Sequence, residues 1–559
     1  MTERLAFLYP EIVLFVGTCV VMVLGLSKSL RARKSCAVVA GVSVLVAGFL
    51  ALVSTPRGSG DAACPISGFV FSHALTPEMG QVLLPELAPY AKVVIALVGA
   101  LLLLPMAGTV DRADEARIAA GRAGFDPLRS NRAEFYAFYL FSLTGLMLCA
   151  SADNLIWLFL ALELTSLPTY IMVAISTSRN RSREAGVKYF FLGALGAAVF
   201  LYGFALVYGG TGTTNLNAIG HAISTGGLNT ITLLGVVVSI LGLCFKIAAA
   251  PMHFYTPDVY EGAAPQVSGF LAFVPKAAGF IAILLLCAMV GWGYSHADSG
   301  VGSLLHAVSA EPLVQGTGRR LPYVLWLMIW VIAALTMTIG NVLAVLQRSV
   351  KRMLAYSSIA HSGYMLVGVL AGPGESASTS GVSAVLFYLL AYGVMNAGTF
   401  AVLAALERGT DSEGQPIEVE TLDDLRGLCA SHPPLGWTMV VCSLSLLGLP
   451  PLLGFFGKLP LFTSGIAAGQ ITLVVVLGLN SAIAAFYYLR LAFTPLLESR
   501  DESTAAPVLA PFRSRLAGAV IAALGVLVLS AAGGWAMGHA FDAAKVPGAG
   551  AMANVPERH

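Results

Sequence analysis

Apolar residues in this chain fall in long unbroken runs, with neither the alternation of a strand nor the one-sided stripe of a surface helix. The runs predict helices over 8–26, 35–53, 90–108, 134–150, 153–176, 186–208, 228–262, 264–290, 322–346, 353–372, 381–406, 436–468, 470–495 and 515–538. Each has at least the roughly 17 residues that a helix needs to cross a bilayer. Between them lie short polar segments such as GGTGTTNLN and AGPGESASTSG, none long enough for a separate soluble domain. The pattern predicts an all-α polytopic membrane protein with about 14 transmembrane helices.

Two runs are too long for one uninterrupted crossing, and both contain proline. The first, 228–262, carries Lys246 and is broken by Pro251; the second, 436–468, carries Lys458 and is broken by Pro450 and Pro451. Proline removes a backbone donor and clashes with the preceding turn. In a bilayer such a break survives only where protein or a wet cavity satisfies the freed groups. The two are the seventh and twelfth spans, so they cross in opposite directions. Paired, interrupted spans at matching positions mark inverted repeats with an ion route at the breaks. Spans 4–8 and 9–13 are therefore expected to form two inverted five-helix repeats. The organisation read from this is a three-helix segment over 1–133, half-channels over 134–290 and 291–495, and a final helix with its tail over 496–559.

Composition agrees with a membrane setting. The chain of 559 residues is 57% hydrophobic and only 11% charged, against roughly 25% charged in soluble domains. Its net charge of +2 says nothing about nucleic acid, because the charges fall between apolar spans and not on a basic face, and no nucleic-acid partner is expected. No cleavable signal is evident: Tyr9 to Leu26 followed by SKSLRARK reads as a stop-transfer anchor. Lys and Arg give orientation. With the N-terminus outside, the inward loops hold twenty cations: Lys28, Arg31, Arg33, Lys34, Arg112, Arg117, Arg122, Arg129, Arg132, Arg179, Arg181, Arg183, Arg348, Lys351, Arg352, Arg408, Arg426, Arg500, Arg513 and Arg515. The outward segments hold Arg4, Arg57, Arg319, Arg320, Lys545 and Arg558. Both termini are thus expected on the outer, periplasmic side of a bacterial plasma membrane.

The eight cysteines (Cys19, Cys36, Cys64, Cys149, Cys244, Cys287, Cys429, Cys442) include no CxxC pair, and the nine histidines lack ligand spacing. Zinc, haem and iron–sulfur ligation are not supported. The nearest imitation of a phosphate loop, GFFGKL, lacks its first glycine and its Ser/Thr.

Six cations fall within or at the edges of spans: Lys92, Lys188, Lys246, Lys276, Lys458 and Arg490. Lys92, beside Pro89 and Tyr90 at a span end, reads as a snorkelling side chain, as does Arg490. Lys246, Lys276 and Lys458 are too deep for that, and ionisable residues inside a membrane point to function. Glu163 lies midway along the fifth span and is the only carboxylate of NLIWLFLALELTSLPTYIMVAIS. With a lysine it forms either a proton-handling pair or a static buried ion pair, the latter a poor stabiliser. Lys188 is four residues after Glu184, which permits an interfacial i,i+4 pair or a relay role. His253 and His361 can donate and accept protons near neutrality or serve as packed core residues. His361 has five hydroxyl-bearing neighbours in YSSIAHSGYML. Asp258 and Glu261 are expected to organise the loop beside the first break. Water chains between such groups would move protons with no cofactor in this chain.

KIAAAPMHFYTPDVYEGAA, FVPKAAGF, YSSIAHSGYML and GLPPLLGFFGKLPLF resemble the antiporter-like membrane subunits of respiratory complex I and the Mrp cation/proton antiporters, over about spans 4–13. Within that family REAGVKYFFLGALGAAVFLYG, the fourteen-span length and the lysine at the second break resemble the subunit N group more than the L or M groups. The segment GAAPQV stands where the family more often has GAPTPV. The resemblance implies fourteen helices with two half-channels on a central polar axis. It implies that Glu163 pairs with Lys246, that Lys276 connects the halves, and that Lys458 serves the second half; Lys188 and His253 match further functional positions. It also implies partners: L-, M-, K-, J- and A-like membrane subunits and, indirectly, a soluble redox arm whose quinone chemistry drives the protons. The expected function is proton translocation within NADH:quinone oxidoreductase. The rivals are an Mrp-type or stand-alone cation/proton antiporter and a scaffold whose buried charges only set helix register.

Overall fold

The computed structural model describes residues 8–53, 84, 86–119, 121, 122, 124, 126, 130–177, 179–292, 321–410, 416–499 and 507–545. Cys64 and the cations Arg4, Arg57, Arg129, Arg319, Arg320, Arg500 and Arg558 lie outside the described residues.

Helices occupy the apolar runs. In chain order they are α1 (Tyr9–Gly25), α2 (Leu30–Val53), α3 (Leu87–Leu103), α4 (Arg132–Ala150), α5 (Leu155–Ile175), α6 (Asn180–Thr211), α7 (Thr230–Lys246), α8 (Thr256–Gly262), α9 (Pro265–Val290), α10 (Tyr323–Val345), α11 (Val350–Ala371), α12 (Gly381–Ala405), α13 (Pro433–Leu447), α14 (Leu453–Ala467), α15 (Ile471–Leu497) and α16 (Arg513–Ala531). Among the described residues eleven helices are long and apolar enough to cross a membrane, while α1, α7 and α13 are apolar but shorter. Starts are set by side-chain caps: Asn154 accepts from Trp157 N, Asn229 from Thr232 N and Ser380 from Ser383 N.

The helices sort into a centre and a rim. α9 and α12 are buried along their whole lengths and α11 nearly so. α9 packs against α4, α5, α7, α11 and α12. The outer helices instead expose large apolar side chains, among them Phe15, Phe191, Leu479 and Val528, the surface that a lipid-facing helix presents.

Each long interrupted run is two helices joined by a turn. α7 ends at Lys246, Ala248 takes a positive φ of 55°, a cis Ala250–Pro251 bond follows, and α8 begins at Thr256. α13 ends at Leu447, Gly448 is left-handed at φ 91°, a cis Pro450–Pro451 bond follows, and α14 begins at Leu453. The freed backbone groups find side chains, as burial in a bilayer demands. At the first break Thr336 Oγ1 accepts from Ala250 N at 2.9 Å, Tyr255 donates to Phe245 O at 2.7 Å, and Ser362 donates to Ile247 O at 2.6 Å. At the second, Gly454 N donates to Ser445 Oγ at 3.0 Å and Lys458 Nζ donates to Leu447 O at 2.7 Å.

Two features depart from the sequence reading. A small antiparallel sheet of order β2-β1-β3 follows α12, with β1 at Leu406–Thr410, β2 at Pro416–Glu418 and β3 at Val508–Leu509. Its Glu407 meets Arg112 at 2.5 Å and Arg515 at 3.7 Å, and its Glu418 meets Lys351 at 2.7 Å. Lys92 does not snorkel: it is buried, with its ammonium 2.8 Å from the equally buried Glu11 of α1. A carboxylate in the first span, too far along the chain to be paired by eye, accounts for the difference.

Candidate functional site

Lys246 is the last residue of α7, so the interruption leaves its side chain in the interior instead of continuing the helix over it. It is buried, and its Nζ donates to Glu163 Oε1 of α5 at 3.0 Å and to Ser166 Oγ, one turn along from Glu163. The ring of Phe200 lies 5.5 Å from the ammonium, a favourable cation–π placement.

Lys276 sits on α9 directly after Pro275. Its Nζ donates to Ser358 O at 2.5 Å and Ser362 Oγ at 2.9 Å, both on α11. A cavity of about 10 Å³ touches Lys246 and Lys276 together and is also lined by Tyr255, Thr256 and Tyr260. That is room for about one water, and Thr256 Oγ1 is a buried hydroxyl with no protein partner. The two lysines thus share a polar space without touching.

His361 follows one residue before Ser362 and is wholly buried. Its Nδ1 is 2.5 Å from Tyr388 OH and its Nε2 is 2.7 Å from Tyr488 OH. Tyr488 OH also bonds Ser357 Oγ. Beyond the histidine, Lys458 Nζ faces the ring of Tyr364 at 5.2 Å while holding Leu447 O. Glycine is favoured at 448 on two counts: its φ of 91° is one that L side chains rarely adopt, and a Cβ there would stand 2.9 Å from Lys458 Cδ. Among the described residues no carboxylate pairs with Lys276 or Lys458; their donors go to backbone and hydroxyl oxygens.

Five of the seven residues singled out from sequence, Glu163, Lys246, Lys276, His361 and Lys458, therefore occupy one interior run of polar groups. Two do not join it. Lys188 is about half exposed and sits between Glu184 at 2.8 Å and Asp258 at 3.4 Å. Asp258 and Glu261 bind Arg352 at 2.9 Å each, so the carboxylates of α8 strap it to the basic starts of α6 and α11. His253 lies in the turn between α7 and α8, partly buried, with Nδ1 lacking a hydrogen-bond partner. Sequence reasoning passed over Tyr388, Tyr488, Ser166 and Thr336. The signal available was a hydroxyl embedded in an apolar run, which reads equally well as packing. Among the described residues no group of three or more His, Cys, Asp and Glu side chains is arranged for a metal.

Interrupted helices and buried ammonium groups define a polytopic helical membrane protein with a charged interior. The family described as NADH:quinone oxidoreductase/Mrp antiporter, TM, matches residues 152–308 and 321–484, and the chain belongs to that family. Relatives described as NADH-quinone oxidoreductase subunit N include one from Salinibacter ruber, 40% identical over 408 residues, 72% of this chain and 73% of the relative. The Trichlorobacter lovleyi relative is 41% identical over 64% of this chain, which spans 66% of that relative. Subunit N 1 of Rhizobium meliloti is 36% identical over 86% of each chain. A chain of respiratory complex I from Thermus thermophilus superposes with a TM-score of 0.67 at 29% identity, over 95% of this chain and 98% of that one. A chain of the Mrp complex from Dietzia sp. shares the fold, with a TM-score of 0.71 at 19% identity over 97% of each.

Proposed function

We propose that this chain is a proton-translocating membrane-arm subunit of a bacterial NADH:quinone oxidoreductase, of the subunit N type, working beside L-, M-, K-, J- and A-like subunits. The observation that carries the reading is the Lys246–Glu163 pair, held with Ser166 at the end of an interrupted helix, with Lys246 also lining the cavity shared with Lys276. Buried ion pairs are weak sources of stability, so a pair kept there is better explained by what its separation does. When Glu163 and Lys246 part, the ammonium loses its counter-charge and hands its proton through water to Lys276. Ser362, His361 and Lys458 continue the path. The redox chemistry and the quinone belong to partner subunits, and this chain needs no cofactor of its own.

The finer architecture belongs to the same proposal. α7 with α8, and α13 with α14, each complete one crossing: α7 alone rises only about 25 Å at 1.5 Å per residue, short of a hydrocarbon core of about 30 Å. Fourteen crossings then place both termini on the periplasmic side of the plasma membrane. Residues 134–290 and 291–495 form inverted half-channels, flanked by 1–133 and 496–559. Lys188 and His253 serve at the ends of the first half-channel, not in its interior. Relatives at about 40% identity that are described as subunit N support the complex I reading over an Mrp-type exchanger.

The test is Lys246→Ala in the assembled complex. Membrane vesicles should oxidise NADH with proton uptake reduced about a hundredfold, the lower end for loss of a positioned proton-transfer group. Undiminished uptake per NADH would overturn the reading.

A further inference from the structure

Histidine buried for packing commonly gives one ring nitrogen to a backbone carbonyl or a carboxylate, which pins the tautomer. His361 does neither. Both nitrogens meet phenolic hydroxyls, Tyr388 OH at 2.5 Å and Tyr488 OH at 2.7 Å. A hydroxyl donates and accepts, so either tautomer is satisfied and the line of hydrogen bonds continues through the ring. It also continues past it. Tyr488 OH bonds Ser357 Oγ, one turn of α11 nearer the basic end at Lys351 and Arg352. On the other side Tyr388 packs on α14: a Cβ at Gly457 would stand 2.8 Å from its ring, and the next residue of that helix is Lys458.

We propose that Tyr488 and Tyr388 are proton carriers that deliver to and receive from His361, making Ser357, Tyr488, His361 and Tyr388 one wire from the basic end of α11 toward Lys458. The proposal rests on the translocation reading above and assigns the second half-channel its own intake. Consider the ring with its proton on Nδ1. Tyr488 gives its hydroxyl proton to Nε2 as it takes one from Ser357, and Ser357 is refilled by a hydronium proton at the basic end of α11. The Nδ1 proton passes to Tyr388 oxygen, and Tyr388 passes its own through water to the neutral amine of Lys458. Every O–H or N–H bond broken is matched by one formed, nothing is oxidised, and one proton has moved. Rotation of the hydroxyls and exchange of the tautomer reset the wire. Lys276, bound to Ser358 and Ser362 on either side of His361, approaches the same imidazole from the first half-channel.

Tyr487 supplies the contrast. It donates to Asn341 Oδ1 at 3.0 Å, and the Asn341 amide nitrogen goes to Met337 O and Tyr364 OH. An amide does not relay protons this way, so that branch is a dead end.

The experiment compares Tyr388→Phe, Tyr488→Phe, Tyr487→Phe and Lys458→Ala in vesicles containing the assembled complex, reading acidification per NADH oxidised. Tyr388→Phe and Tyr488→Phe should each lower it about a hundredfold, and Tyr487→Phe should leave it unchanged. Wild-type acidification in both Tyr388→Phe and Tyr488→Phe, with Lys458→Ala inactive, overturns the wire alone. Wild-type acidification in Lys458→Ala overturns the translocation reading itself. Should a Phe variant fail to assemble, a difluorotyrosine at 388 or 488 keeps the shape and makes the phenol more acidic. The pH profile of acidification should then move to lower pH, and an unmoved profile overturns the proposal.

Discussion

Lys246 and Glu163, 83 positions apart in the chain, meet at 3.0 Å with Ser166 completing the ammonium's coordination. The lysine is 2% exposed and the carboxylate 18%. That asymmetry leaves Glu163 the partner nearer the surface of the chain and Lys246 the one that depends on the pairing.

Glu163→Gln should therefore hurt more than the double variant Glu163→Gln with Lys246→Met. The single change strands a buried charge, at a cost of about 3–5 kcal/mol for breaking a buried pair, while the double change removes it. The amount of assembled complex in membranes checks this: lower in the single variant and recovered in the double. Proton pumping should be lost in both.

Thr336→Val should loosen the first interruption. Ala250 N would lose its acceptor in a buried site, an effect of about 1–3 kcal/mol. A lower melting temperature of the detergent-solubilised complex is the expected readout, and pumping per NADH should fall if the turn positions Lys246. An unchanged melting curve would mean water replaces the hydroxyl.

Glu11 and Lys92 form a second buried pair, at 2.8 Å, outside the residues that the family match covers. Glu11→Ala should cut assembly, again by about 3–5 kcal/mol in the worst case. Glu11→Leu with Lys92→Met should restore it with pumping per complex intact. Loss of pumping in the restored double variant would show instead that this pair handles protons.

Gly448→Ala should displace Lys458. A left-handed backbone costs an L residue about 1–2 kcal/mol, and the new methyl would press on the lysine stem. Pumping should fall severalfold with NADH oxidation by the redox arm preserved, measured in the same vesicles.

The interruptions and three of the interior lysines were legible because each signal is local: an apolar run, a proline, a charge where lipid should be. Glu163 was legible as a carboxylate midway along its run. Lys92 was not, because the character of a lysine near a span end depends on a partner in another helix, here Glu11. Tyr388 and Tyr488 stayed hidden for a related reason. A tyrosine in an apolar run announces packing, and only the fold shows that its hydroxyl meets an imidazole. The β-strands lie in a polar connection whose pairing partner, β3, comes some hundred residues later. The lysines at the two interruptions are also not equivalent. Lys246 closes the helix before its break, whereas Lys458 lies within the helix after its own and reaches back to the carbonyl of Leu447.

Glu407 answers to Arg112 and Arg515, which come from widely separated stretches of the chain. It works as a buckle, drawing the belt of helices closed at one rim. Any sliding of the helices it joins would have to unfasten it. A belt kept fastened suits cargo that hops by the turning of side chains and needs no doorway.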